Sequence, residues 1–446
     1  MWELSENFRG NAMKKITVIL LISSMLFCLF ACGNNSTDIS QSGTDKSGIQ
    51  ATEPGISETT QRISGQPCLT VSGKPLHVST TAADFAFRAF KEAIKEETNA
   101  LISPVSIITA LTMAANGAKG ETLEEIENAL SADIAELNSG FAKSETASEG
   151  VKTANSVWLR QKIGLEVNQS FIDINQRNFG AEIFKENFNR VTLDKINRWV
   201  SDNTDGMIKN MLSELPDDAV IYLINTILFD AEWKRPYSQY SSNSQTFTTE
   251  NGLKQTVDML NQRMSSSDCF TLGKTKGIVK EYSNGYAFAA MLPNEGTTVA
   301  QALESFTGED FVSTVNSMIL NPTCGTGLYP IDVSIPKFEF DCSFNLNNIL
   351  KSLGINAAFN SKNADFSAMA TSSFGNIYIG NVYHNTSIKL TENGTKAGAA
   401  TVIEFVEECA KPADDAEIIK FDRPFISVIY ETNTGMPLFV GTVREF

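Results

Sequence analysis

The segment at 392–401, ENGTKAGAAT, alternates like a strand yet carries almost no side chains of any size, and it constrains this chain more than any other feature. Side chains alternate across a strand, so Thr395, Ala397, Ala399 and Thr401 share one face and Lys396, Gly398, Ala400 and Val402 the other. The first face is small enough to slide into a packed interior. The second carries a lysine and can look at solvent. Gly and Ala have poor β-propensity, so nothing local holds the segment extended and strand status must come from neighbours. A polar, acidic stretch follows and reads as a long exposed loop. The chain then resumes with FDRPF at 421–425 and two β-rich runs, 426–430 and 438–440.

A coarse pass along the chain supports one α+β unit. Apolar residues Phe85, Ala86, Ala89, Phe90 and Ile94 have helical spacing within 84–96, Pro104 opens a second helix to Ala115, and 121–130 starts a third. Later segments turn strand-like, at 220–229, 287–292, 331–340 and 377–382. Helices first and strands later argue for segregated layers and against alternating βαβ units. The chain has 446 residues, 28 of them Phe, and 42% apolar content, ample for a large core, with no linker-like break after Thr80. A net charge of −16 argues against nucleic acid and anionic lipid surfaces as partners and steers basic proteins toward the chain. Only 2 His are present, which argues against His-dependent catalysis and a His-rich metal site.

The N-terminus carries an export signal. Met13, the expected start, precedes Lys14, Lys15 and an apolar run, and Leu29, Phe30, Ala31 and Cys32 follow; together they resemble a bacterial lipoprotein signal ending at a lipidated Cys32. The apolar stretch 16–31 is shorter than the roughly 20 residues a bilayer core needs. Phe30 is bulkier than the residue usually found two before such a cysteine, so cleavage and plain secretion stay open. Residues 1–32 then form the signal, the Ser/Thr/Gly-rich stretch 33–75 a flexible tether, and 76–446 the folded domain. Setting aside Cys28 and Cys32 leaves Cys68, Cys269, Cys324, Cys342 and Cys409, an odd set without metal-ligand spacing, so the fold does not depend on disulfides and no metal is expected.

Motifs spread from about Ala82 to the C-terminus carry a family resemblance. They are NALISPVSI at 99–107, GAKGET at 117–122, ANSVW at 154–158, INRWV at 196–200 followed by TDG at 204–206, and NTILF at 225–229 with Trp233 beyond it. PKF at 336–338, LGI at 353–355 with Phe359, ADFS at 364–367, His384 and FDRPF complete the set. Each is weak alone; in this order they resemble the serpins, the serine-protease inhibitors whose reactive loop inserts into a central β-sheet. The resemblance implies an α+β fold of about eight or nine helices around three β-sheets, with a reactive loop at about 392–420. It implies no cofactor and a monomer.

By the same resemblance Glu392, Gly394 and Thr395 with Ala397, Gly398, Ala399, Ala400 and Thr401 form the hinge that enters the sheet. Ser103, Ser106, Asn225 and His384 form a polar cluster where the strands part, and Trp233, Lys337 and Glu392 the entry site above it. His384 alone reads as a satisfied structural histidine, and Trp233 alone as core packing. The family's spacing from Glu392 places the scissile bond at Glu408–Cys409; the loop is longer than in compact members, so Cys409–Ala410 or Ala410–Lys411 stays open, with Val406 a further candidate. Small residues there suit elastase-like serine proteases, Glu408 a glutamate-selective one, and a cysteine-protease target stays open. Small hinge residues favour an inhibitor, the alternative being a non-inhibitory serpin that binds, adheres or carries a ligand at the surface.

An enzyme is not expected. Ser201-Asp202-Asn203 and Ser334 with Lys337 superficially copy two motifs of serine β-lactamases, but the S-x-x-K serine must open a helix and come first. No G-x-S-x-G elbow, Walker loop or dinucleotide fingerprint occurs.

Overall fold

The computed structural model describes residues 74–96, 98–140, 150–238, 240–320, 329–395 and 416–446. All belong to one unit, Leu69–Phe446. Along the chain lie α1 (Lys74–Ala93), β1 (Ala100–Ile102), α2 (Pro104–Ala115), α3 (Gly120–Leu130), α4 (Ile134–Gly140), β2 (Val151–Arg160), β3 (Leu165–Val167), α5 (Gln169–Phe179), β4 (Glu182–Glu186) and α6 (Arg190–Asn203). Next come β5 (Ile221–Phe229), β6 (Ala231–Glu232), β7 (Ser242–Thr248), β8 (Lys254–Ser265), β9 (Cys269–Leu272), β10 (Thr275–Glu281), β11 (Tyr286–Pro293), α7 (Val299–Leu303) and α8 (Gly308–Leu320). The chain ends with β12 (Pro330–Pro336), β13 (Phe338–Asn345), α9 (Asn347–Ser352), β14 (Ala370–Ser372), β15 (Tyr383–Leu390), β16 (Gly394–Thr395), β17 (Glu417–Lys420), β18 (Phe425–Glu431) and β19 (Pro437–Val443).

The six-stranded sheet, in order β1-β19-β18-β11-β10-β9, is the apolar heart of the molecule. β11, YAFAAMLP, is buried along its whole length, as is β19, so both read as continuous apolar runs rather than alternating ones. Helix α2 packs between β19 of this sheet and β5. It starts cleanly because Ser103 caps it, its Oγ accepting the Ser106 N–H at 3.3 Å, and Pro104 supplies a pre-set first turn. A four-stranded sheet runs in the order β17-β12-β8-β7. β17, at the far end of the expected loop, pairs in parallel with β12.

The central sheet is divided. One part is β4-β2-β5; the other is β13-β15-β16-β6, and among the described residues no ladder joins β5 to β15. β2 has Ala154-Asn155-Ser156 in its middle, a poor strand sequence, and is held extended by β4 on one side and β5 on the other. Above its outer face α6 seals a second apolar cluster of Trp158, Phe188, Ile196, Trp199 and Leu212, with Trp158 stacked on Phe184 at 4.0 Å. A small pair, β3-β14, completes the sheets.

Several sequence expectations need correction. The strand expected at 377–382 is not one: Ile379 N–H goes to Ala358 O, Val382 N–H goes to the Asn347 side chain, and the strand proper begins at Tyr383. Its apolar alternation records burial against the body, not ladder pairing. The run 331–340 breaks at Lys337, whose N–H bonds Asp258 O, and the two halves belong to different sheets. The first helix runs Lys74–Ala93 rather than over 84–96, opening inside the stretch expected to be tether. Strands β1 to β4 interleave with the early helices; β1 and β3 are too short to read, and β2 has the wrong composition.

Candidate functional site

At the top of the divided sheet, β16 lies between β15 and β6, the short strand that follows β5 along the chain. Thr395 pairs with Leu390 of β15 on one side and with Ala231 of β6 on the other. Gly394 is required here: a Cβ would lie 2.1 Å from Ala231 O, inside any tolerable contact. Thr391 closes the turn before it, its N–H and Oγ1 donating to Gly394 O at 2.9 and 3.1 Å. Thr395 is 3% exposed, and its Oγ1 lies 2.6 Å from the Tyr282 hydroxyl. Burial holds that hydroxyl protonated, well above the ordinary tyrosine range.

Residues 391–393 are clamped from behind by 233–237. Trp233 N–H donates to Asn393 O at 2.8 Å, Trp233 Nε1–H to Thr391 O at 3.0 Å and Tyr237 N–H to Glu392 O at 2.9 Å. The Trp233 ring stacks on Tyr282 at 4.3 Å. Lys337 Nζ meets Glu392 Oε1 at 3.0 Å and lies 3.6 Å from Asp258. Burial pulls the Lys337 amine down, but Glu392 and Asp258 outweigh it and hold it above the usual lysine value. Trp233, Lys337 and Glu392 therefore come together.

Lower down, His384 is 5% exposed on β15, and its Nε2 accepts the Ser103 N–H at 2.9 Å. An accepting Nε2 places the single ring proton on Nδ1. Burial pushes the imidazole down to about 4, so it is neutral at physiological pH and no acid or base for catalysis. Ser106 is buried beside Ser103. Asn225 stands apart from these three: its Nδ2 donates to Asn155 Oδ1 at 2.8 Å on the neighbouring β2, while its own Oδ1 is buried without a partner among the described residues. Ser106, Asn225 and His384 nonetheless line one cleft of 790 Å³ between β5, residues 376–385 and α2.

Ala397, Gly398, Ala399, Ala400, Thr401, Glu408, Cys409, Ala410 and Cys32 lie outside the described residues. Cys342 donates from Sγ to Asn99 O at 3.3 Å, and burial pushes the Cys269 thiol up to about 11. Ser201-Asp202-Asn203 closes α6, and Ser334 lies in β12 rather than opening a helix. Sequence reasoning missed Tyr282, Tyr237 and Thr391. Tyr282 sits in a polar turn after β10 with no periodic signal, and its contacts with Trp233 and Thr395, distant in sequence, reveal it.

A small-residue strand start lodged at the head of a parted sheet defines the class of molecule. The family model for serpin (serine protease inhibitor) matches residues 80–446, and the chain belongs to that family. Alpha-1-antiproteinase of Rattus norvegicus is 29% identical over 386 residues, covering 82% of this chain and 89% of the relative. An uncharacterised serpin-like protein of Thermococcus kodakarensis is 27% identical, covering 84% and 87%. Among solved structures, the native state of the thermophilic serpin tengpin is 35% identical with a TM-score of 0.74, covering 83% of this chain and 94% of that one. Its latent state is 34% identical with a TM-score of 0.70, covering 84% and 99%. Serpins are protease inhibitors and, in general, not catalytic enzymes.

His384 gives the native state a pH dependence. Its folded value of about 4 lies below the ordinary 6.5, so between these the unfolded chain takes up a proton that the folded one refuses. Stability present above pH 6.5 is lost as pH falls through 4, by about 3 kcal/mol in all. Melting curves from pH 4 to 7 should show this loss in the wild type and not in His384→Gln, whose amide oxygen can still accept from Ser103.

Proposed function

We propose that this chain is a suicide-substrate inhibitor of serine endopeptidases, with elastase-like enzymes favoured, and that it acts outside the cell from a lipid anchor on Cys32. The observation that carries the inhibitory reading is the placement of Gly394 and Thr395, already a strand between β15 and β6 above a sheet where, among the described residues, no ladder joins β5 to β15. Glu392, Gly394 and Thr395 act as the hinge, with Ala397 to Thr401 following, and Trp233 and Lys337 hold the entry.

The protease serine attacks the carbonyl carbon of Glu408, or of Cys409 if the bond is displaced by one. The peptide bond breaks, the new amino terminus leaves with the proton, and an ester holds the protease on the freed strand. That strand then fills the space between β5 and β15, gaining ladder hydrogen bonds and buried apolar surface, and carries the protease away before water reaches the ester. Side chains on the Thr395 face must be small, because Thr395 already sits buried against Tyr282.

Mixing with an elastase-like protease should give an SDS-resistant covalent complex. Thr395→Arg would bury a guanidinium beside Tyr282 at a cost of several kcal/mol, so the variant is expected to be cleaved without trapping. An unchanged inhibition stoichiometry in that variant would sink the insertion reading.

Cutting the loop near Cys409 should raise the melting temperature by on the order of 10 °C, since several kcal/mol of strand pairing are gained at roughly 2–4 °C per kcal/mol. Calorimetry of intact and nicked protein checks this, and coincident curves would contradict it. The anchor has its own test: the protein should fractionate with membranes, and Cys32→Ser should release it into the medium.

A further inference from the structure

Lys280, on β10, belongs to none of the motifs that drew attention in the sequence, yet it is only 5% exposed. Its ammonium donates to Arg235 O at 2.7 Å and to the Gln262 side chain of β8. It lies 4.2 Å from the Tyr237 ring centroid and 5.4 Å from that of Trp233. Arg235 is the middle of the segment 233–237, whose two ends make the three hydrogen bonds to residues 391–393. Lys280 therefore stands behind the clamp that fixes the turn into Gly394 and Thr395, touching both of its rings and its central carbonyl.

We propose that Lys280 is a proton-dependent positioning residue, holding the 233–237 clamp on residues 391–393 when charged and slackening it when neutral, so that strand entry is faster above neutral pH. The proposal rests on Gly394 and Thr395 being the point of entry. A charged amine makes charge-assisted hydrogen bonds and cation–π contacts that a neutral amine loses or makes more weakly. The groups around it set where the change occurs. Burial lowers the Lys280 amine to about 7, Arg235 lowers it further within that value, and Asp268, in the turn before β9, opposes them. From the clamp Tyr237 faces it as a protonated phenol, and Lys234 is occupied by Glu281 at 2.6 Å. Tyr282, on the same edge, also stays protonated, and Gln262 from β8 is uncharged. Lys280 is thus the group of this cluster that changes charge near neutrality.

The test uses a peptide with the sequence of residues 395–406, TKAGAATVIEFV, blocked at both ends so that none of its groups titrates between pH 6 and 8.5. Its annealing to the intact protein, followed on native gels, is expected to speed up roughly tenfold from pH 6 to 8.5 in the wild type. Lys280→Met should anneal fast at both pH values and Lys280→Arg slowly at both, because arginine keeps its charge. A flat wild-type profile, or the same step surviving in both variants, would overturn the proposal. A wild type that shows the step but forms no covalent complex with any elastase-like protease would support the role of Lys280 while removing the inhibitory reading.

Discussion

Two strands that face each other without a shared ladder govern this molecule. β5 is paired on one side by β2, and β15 by β13, and at the head the short β16 joins β15 to β6, which follows β5 along the chain. Backbone N–H and C=O groups are obligatory hydrogen-bonding groups, and a sheet left open in its middle forgoes pairs that a closed one would make. The rest of the structure is arranged around this opening. α2 lies beneath β5, α6 covers the outer face of β2 and β5, and the residues 391–395 sit at its head.

The same region concentrates groups that a lowest-energy core would avoid. Asn225 keeps a buried oxygen without a partner among the described residues, His384 is buried in a form that resists protonation, and burial lowers the Lys280 amine to about 7. Each carries a desolvation penalty. Asn225 and His384 line the opening itself, and Lys280, on β10 of the six-stranded sheet, touches the 233–237 segment at its head.

Legibility from the sequence followed burial pattern and local chemistry. α2 was readable because Ser103 and Pro104 start it, and β18 and β19 because their apolar runs are continuous. Trp233, Lys337 and Glu392, expected together, do meet, and so do Ser103, Ser106 and His384. Asn225 was expected with the latter group and instead bonds Asn155, a contact set by the β2–β5 register that no spacing rule reports. Lys280 and Tyr282 were silent because a polar residue's burial depends on what folds over it from 233–237, far away in sequence. The segment 377–382 misled because apolar alternation marks a buried face whether or not a neighbouring strand exists.

The position of β18 and β19 has a consequence for how the molecule comes into being. They follow all the other described strands along the chain, yet they lie inside the six-stranded sheet, between β1 and β11. Until these two strands have emerged from the ribosome, β1 and β11 lack the strands that separate them, and α1 and α2 lack the β19 surface they pack on. Contacts this distant along the chain form slowly and leave apolar surface waiting. The core around β1 and β11 is therefore closed only after residues 391–395 have been made, by the late entry of β18 and β19.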